Sequence, residues 1–307
     1  HRSDDAARQG RAVTAATLHG LPAGIAAARP LAARLGLPLH EIGLHRFPDG
    51  EIRVTVGPAA PTGIVYASLD QPNDKLIAIL YAAEALRREG ARRLVLVAPY
   101  LCYMRQDAAF HPGEAISQRA VGRMLAANFD RVITVDAHLH RTDDIGAVFP
   151  GIEADNLSAM PAIADGLAGI DRATVLAGPD AESRQWVGEL AARLGLDYAV
   201  GRKTRRSDRS VEIDFIGQTA VAGRPVLLID DIVSSGGTLA TCARALRAAG
   251  ATAIDAVVTH ALFPPDMADE FARAGIRSIR STSSVPHPTN TIPLDAVLAD
   301  ALRRELD

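Results

Sequence analysis

At 307 residues the chain is long enough for two domains of about 150 residues each, and 48% hydrophobic residues give it two cores' worth of apolar material, which excludes disorder for its bulk. A formal net charge of -3 offers no strongly basic face, and no apolar run approaches the roughly 18 residues of a membrane span, so neither nucleic acid nor membrane is expected as a partner. Cys102 and Cys242 are the only cysteines; two unrelated thiols make neither a disulfide framework nor a zinc site, and a reducing, cytoplasmic compartment follows.

In chain order, His1 to Gly10 is polar, lacks the apolar core of a signal peptide and reads as a frayed end. Phe47-Pro48-Asp49-Gly50-Glu51 forms a turn between Leu44 and the strand-like Ile52–Val56. Short runs rich in Val, Ile and Leu then alternate with amphipathic stretches. The strands are expected at Ile64–Ala67, Leu94–Ala98, Val132–Val135, Ala173–Leu176, Val226–Ile229 and Ala256–Thr259. The helices are expected at Lys75–Glu89, Ala115–Asn128, Ala181–Leu194 and Leu239–Ala249. Gly90, Gly195 and Gly250 each follow a helical stretch, where a left-handed cap belongs. Such alternation predicts α/β units of mostly parallel strands with helices on both faces. The pattern comes twice, which places domains at 1–150 and 151–307 with Phe149-Pro150-Gly151 as the joint. The segment from about Thr289 is free to pack back on the first domain.

The strongest local signal runs from Val226 to Leu239. A buried strand ends in Asp230 and Asp231, followed by Ser234-Ser235-Gly236-Gly237-Thr238 and a helix beginning near Thr238. The two glycines let successive N–H groups turn round an anion, Thr238 is expected to cap the helix, and the helix N-terminus favours negative charge. The two acids repel phosphate and suit sugar hydroxyls, or Mg²⁺ held through water. A phosphate beside a diol is a ribose phosphate. No Gly-x-x-x-x-Gly-Lys-Ser/Thr and no Gly-x-Gly-x-x-Gly occurs. The Asp230–Thr238 run resembles the ribose-phosphate loop of type I phosphoribosyltransferases and of ribose-phosphate pyrophosphokinases.

Three motifs of the first half choose between them. Besides Phe47–Glu51, Arg105-Gln106-Asp107 follows the strand Leu94–Ala98, at a carboxyl end where parallel sheets bind ligands, and its cation, amide and acid suit phosphates and a base. Asp136-Ala137-His138 stands at the next strand end, with His138 as a metal or phosphate ligand and Asp136 as its partner. With His287-Pro-Thr-Asn-Thr291 near the end, these motifs resemble ribose-phosphate pyrophosphokinases from roughly Leu35 to Leu294.

The resemblance implies two phosphoribosyltransferase-like domains, Mg²⁺ as cofactor, and transfer of the β,γ-pyrophosphoryl group of ATP to the 1-hydroxyl of ribose 5-phosphate. It implies that Phe47, Asp49 and Glu51 contact the adenine side of ATP across a subunit interface, and that Arg105, Gln106, Asp107 and His138 complete the nucleotide site. His138 and Asp180 would approach the metal. Asp230, Asp231, Ser234, Ser235, Gly236, Gly237 and Thr238 would hold ribose 5-phosphate. Similar proteins form dimers assembled into hexamers, so a homo-oligomer is expected.

Of the 33 basic residues only Lys75 and Lys203 are lysines. Lys203 and Arg205 sit in Gly201–Arg209, a basic and weakly structured stretch, and resemble the family's Lys-x-Arg pair on a loop that closes over the reacting phosphates. A point charge and a guanidinium fork suit such a transfer. Asp231 is expected to orient or deprotonate the accepting hydroxyl. Lys75 begins a helix and reads as solvated. Two departures mark a divergent branch: Gly178-Pro-Asp180-Ala-Glu182-Ser-Arg184 replaces Ser-Pro-Asp-x-Gly-Gly, and Ser234 replaces an Asp. They and the short ending put phosphate activation and ADP inhibition in doubt and leave room for another diphosphate donor. The alternatives are a phosphoribosyltransferase consuming phosphoribosyl pyrophosphate, which needs neither Phe47–Glu51 nor Lys203/Arg205, and a regulatory subunit, in which the catalytic loops would be damaged.

Overall fold

The computed structural model describes residues 15–139, 144–207, 210–216 and 220–306, with side chains left undescribed at 203–214 and 216. Residues 1–10, read above as a frayed end, lie outside the described residues. In the first half the chain runs β1 (Ala16–Gly20), α1 (Ile25–Leu35), β2 (Leu39–Glu41), β3 (Gly43–Arg46), β4 (Ile52–Thr55), β5 (Thr62–Tyr66), α2 (Pro72–Arg88), β6 (Arg93–Ala98), α3 (Ser117–Ala126), β7 (Arg131–Val135) and β8 (Glu153–Leu157). Six of these strands form a parallel sheet in the order β2-β1-β5-β6-β7-β8, and β3 and β4 make a separate antiparallel hairpin.

The second half runs α4 (Met160–Gly166), β9 (Val175–Gly178), α5 (Arg184–Leu194), β10 (Asp197–Ser207), β11 (Ser210–Ile216), β12 (Pro225–Val233), α6 (Gly237–Ala248), β13 (Ala253–Ala261), α7 (Ala268–Ala274), β14 (Ile276–Thr282), β15 (Asn290–Ile292) and α8 (Asp295–Leu302). Its sheet has the order β11-β10-β9-β12-β13-β14-β15 and is parallel except for the β10–β11 pair. The central strands read as near-continuous apolar runs because helices cover them: Leu94 to Ala98 and Val226 to Ile229 are all buried. Among the described residues no helix is long and apolar enough to cross a membrane.

Past the expected joint at Phe149–Gly151 the chain continues into β8, which pairs with β7 and completes the first sheet. β8 is an edge strand carrying Glu153, Asp155 and Asn156, so it lacks the hydrophobic signal of its neighbours. The stretch Gly201–Ser207 is regular rather than weakly structured: it is the distal part of β10, hydrogen-bonded to β11. Thr238 does not cap α6, whose N-cap is Gly236 at φ +71; the helix starts one residue early, at Gly237.

Both sheets and the chain terminus share one core. Leu18, Ile133 and Val135 of the first sheet pack in one cluster with Leu176, Leu227 and Val257 of the second, and with Leu298, Ala299 and Leu302 of α8. The terminus thus leaves the second sheet at β15 and lies along α1, where Arg34 Nε donates to Asp295 Oδ2 at 2.7 Å. It ends on the first sheet: the buried Glu305 carboxylate accepts from Arg93 Nε at 2.6 Å and from Arg131 Nη1 at 2.8 Å.

Candidate active site

Strand direction decides where chemistry gathers. The carboxyl ends of β5, β6 and β7 from the first sheet meet those of β12 and β13 from the second, and a cleft of about 700 Å³ opens between them. Arg105, Gln106 and His138 line it from the first half, facing Phe263, Pro264 and His287 from the second. A smaller pocket of about 270 Å³ adjoins it through His138 and is lined also by Asp136, Asn156, Glu182, Trp186 and Asp231.

His138 is the hinge of the arrangement. Its Nδ1 lies 2.6 Å from Asp231 Oδ2, joining the end of β7 to β12. The paired acids of β12 are pushed apart in character. Burial, then the neighbouring charge of Asp231, hold the Asp230 carboxyl well above the ordinary carboxylate range. Burial pushes Asp231 the same way, but the hydrogen bond and charge of His138 prevail and hold it below that range. Asp231 is therefore an acceptor that stays ionised, better fitted to orienting a hydroxyl than to removing its proton. Asp136 sits in the left-handed region at φ +40, and burial lifts its carboxyl to about 6 even though Ala159 N and Thr259 Oγ1 donate to it.

The turn after β12 leads from Asp231 to α6. Gly236 must be glycine: at φ +71 a Cβ there would meet Phe271 Cζ at 2.6 Å. Gly237 has no such reason, since a Cβ would find nothing nearer than Ser235 Oγ at 4.0 Å. Ser235, Gly237 and Thr238 are exposed and Ser234 is half-buried. The divergent turn at Asp180 is closed by Ser183, whose buried hydroxyl donates to Asp180 O, and Gly178 must be glycine because a Cβ would lie 2.1 Å from Ser183 Oγ.

Other expected residues stand elsewhere. Phe47, Asp49 and Glu51 lie on the exposed β3–β4 turn and do not line the cleft; there Asp49 Oδ1 accepts from Glu51 N at 3.1 Å, and Phe47 meets His45 edge to face. Asp107 lies past Gln106, outside the cleft lining. The backbones of Lys203 and Arg205 belong to β10, and their side chains lie outside the described residues. Lys75 is not solvated: its Nζ donates to Asp70 Oδ1 at 2.6 Å and to Ser68 O at 3.0 Å, and only 18% of its side chain is exposed.

Several residues of the site escaped sequence reasoning. Asp70, Gln71 and Tyr103 line the cleft, and Gln71 (φ 45) and Tyr103 (φ 62) share with Asp136 a left-handed backbone without glycine. Such strain persists where the surroundings over-determine it and gathers at functional sites. No residue type announces it. Lys75 did carry a signal, as one of two lysines among so many arginines, but its partners precede the helix and were invisible to periodicity.

Known proteins match this organisation over most of the chain. A family model described as the N-terminal domain of ribose phosphate pyrophosphokinase matches residues 20–128, and a phosphoribosyl transferase domain matches residues 154–281. A ribose-phosphate pyrophosphokinase of Methanopyrus kandleri is 36% identical over 285 residues, covering 91% of this chain and 96% of that protein. This chain belongs to the ribose-phosphate pyrophosphokinase family. Ribose-phosphate pyrophosphokinase 2 of Archaeoglobus fulgidus is 34% identical, covering 89% of this chain and 95% of its own length. The crystal structure of phosphoribosylpyrophosphate synthetase from Mycobacterium smegmatis superposes with a TM-score of 0.80 at 27% identity, covering 94% of this chain and 97% of that one. The first match falls on the first sheet, and the second begins in β8, the edge strand of that sheet, and runs through most of the second.

Proposed function

We propose that the chain transfers the β,γ-pyrophosphoryl group of ATP to the 1-hydroxyl of ribose 5-phosphate, giving phosphoribosyl pyrophosphate and AMP. The observation that carries this reading is the 2.6 Å contact between His138 and Asp231. It joins the Arg105–Gln106 cleft to the acids that precede the Ser234–Thr238 turn, which supports a donor in one meeting an acceptor in the other. A transferase that consumes phosphoribosyl pyrophosphate needs only the second.

In this reading Arg105, Gln106 and Asp107 bind the nucleotide, with Phe47, Asp49 and Glu51 supplied by a partner copy. The exposure of the β3–β4 turn and its absence from the lining of its own chain's cleft favour that exchange, and hence a dimer or larger homo-oligomer. Asp230 and Asp231 take the ribose hydroxyls. The N–H groups at Ser234–Thr238 and the start of α6 take the 5-phosphate. Asp231 orients the attacking hydroxyl, which is the substrate's own nucleophile. Lys203 and Arg205 stabilise charge on the transferring group.

The residues fit Mg²⁺. Asp230 and Asp231 crowd two carboxyl groups at one buried strand end, the kind of oxygen-rich, charge-strained place that a hard cation relieves. Among the described residues no group of three or more His, Cys, Asp or Glu is set to hold a metal alone, which leaves most of a shell to water and phosphate oxygens. His138 and Asp180 would hold it together with the substrates, and bound Mg²⁺ would neutralise phosphate charge. We take the enzyme to act in the cytoplasm, where the buried thiols of Cys102 and Cys242 stay reduced.

The test is product balance. With ATP, ribose 5-phosphate and Mg²⁺ the enzyme is expected to form AMP and phosphoribosyl pyrophosphate in equal amounts. AMP without phosphoribosyl pyrophosphate, or no AMP from protein that still binds ribose 5-phosphate, contradicts the proposal.

A further inference from the structure

Two consecutive residues of β13 grip a single residue just past the end of β7. Thr259 Oγ1 lies 3.4 Å from Asp136 Oδ2, and His260 Nε2 lies 3.3 Å from Asp136 O. His260 is fully buried, with its ring edge-on to Tyr100 at 5.1 Å and its Nδ1 2.8 Å from Ser284 Oγ. Burial pushes its imidazole down to about 4, so it is neutral and carries one N–H. A carbonyl only accepts, which assigns that proton to Nε2 and makes Nδ1 the acceptor of the Ser284 hydroxyl. The Ser284 hydroxyl has Thr259 O as a second acceptor at 2.8 Å, and Thr259 O also accepts from the Thr282 hydroxyl at 2.6 Å.

The gripped residue is the strained one. Asp136 holds φ +40 with its carbonyl on His260 and its carboxylate on Ala159 N at 3.1 Å. Two residues on, His138 reaches Asp231. His260 itself lines neither the cleft nor the smaller pocket.

We infer that His260 is a positioning residue for the transfer: its Nε2–H, seated on the Asp136 carbonyl, holds the end of β7 in the turn that delivers His138 to Asp231. The inference rests on the reaction proposed above. A residue that sets the distance between donor and acceptor sites without touching either substrate acts on turnover, where a misplacement of about 1 Å costs on the order of 100-fold.

The experiment compares His260→Gln, which can carry an N–H to the place of Nε2, with His260→Asn, which keeps a polar group near Ser284 and leaves the Asp136 carbonyl unpaired. In steady-state kinetics the Gln variant is expected within about 3-fold of the parent kcat. The Asn variant is expected to lose about 10- to 100-fold in kcat, with both KM values within about 3-fold and a Tm equal to that of the Gln variant. In a His138→Ala background the Asn change is expected to cost less than about 2-fold more, because its route of action is already gone. Equal losses in Asn and Gln, parent kcat in Asn, a loss carried by KM, or an undiminished loss in the His138→Ala background overturns the inference. The ¹⁵N resonance of His138 Nδ1 gives a readout that needs no turnover: its hydrogen-bonded shift is expected in the parent and Gln variant and lost in Asn. A parent that forms no AMP therefore contradicts the reaction alone, and the spectra still decide the role of His260.

Discussion

Gly236 and Gly237 stand side by side before α6 for different reasons, and the difference is testable. Gly236 is demanded by its left-handed backbone and by Phe271 against its Cα; Gly237 opens α6 into free space. Gly237→Ala is expected to keep or slightly raise Tm, since Ala is the better helix former by about 1 kcal/mol, while KM for ribose 5-phosphate rises about 10-fold or more because the phosphate must approach that backbone. Gly236→Ala is expected to lower stability by about 1–3 kcal/mol in denaturant titration. If Gly237→Ala leaves KM unchanged, the phosphate does not approach the backbone there. The sequence already announced this turn, because paired acids and small residues after an apolar run have few structural uses. It could not separate the two glycines, since φ and the nearness of Phe271 are tertiary facts. The roles of Lys75 and His260 were hidden likewise: their partners are backbone carbonyls and side chains that only folding brings near.

At the scale of elements, the central strands and long helices were legible and the edges were not. β6 and β12 are covered on both faces, so their apolar runs declare them. α2 was expected from Lys75 and starts at Pro72, because a proline at the first turn sets φ and lacks only an N–H that would be unpaired anyway. β8 and β10 lie toward the margins of their sheets and carry charge, so neither periodicity nor apolar content marked them. For β10 this mattered most, as Gly201–Ser207 reads as weakly structured and is a strand paired to β11. The hairpin presents Lys203 from a paired backbone rather than a loose loop. Lys203→Ala is expected to lower kcat by about 100-fold or more with Tm unchanged, the scale of removing a preorganised charge. A variant with parent kcat would remove Lys203 from the mechanism.

Across the whole molecule, the chain end straps the two sheets together through α8 and Glu305. Burial pushes the Glu305 carboxyl up, but the hydrogen bonds of Arg93 and Arg131 outweigh it and hold it below its ordinary value of 4.5. A carboxylate whose folded pKa is depressed contributes stability above the unfolded value and loses it as pH falls through the folded one. Glu305→Gln is expected to lose about 3 kcal/mol near neutral pH, the scale of breaking a buried ion pair, with the difference from the parent shrinking steadily below about pH 4.5 in chemical denaturation. A difference that does not change with pH would mean the strap holds by packing alone. The strap keeps the strand ends of both sheets facing one another, and the transfer depends on that opposition. The most direct measurement follows ATP labelled at the β-phosphorus, incubated with ribose 5-phosphate and Mg²⁺. All transferred label is expected in phosphoribosyl pyrophosphate, with unlabelled AMP formed in equal amount. Label remaining in a nucleoside diphosphate, or appearing as free pyrophosphate without phosphoribosyl pyrophosphate, would contradict direct pyrophosphoryl transfer between the two sites.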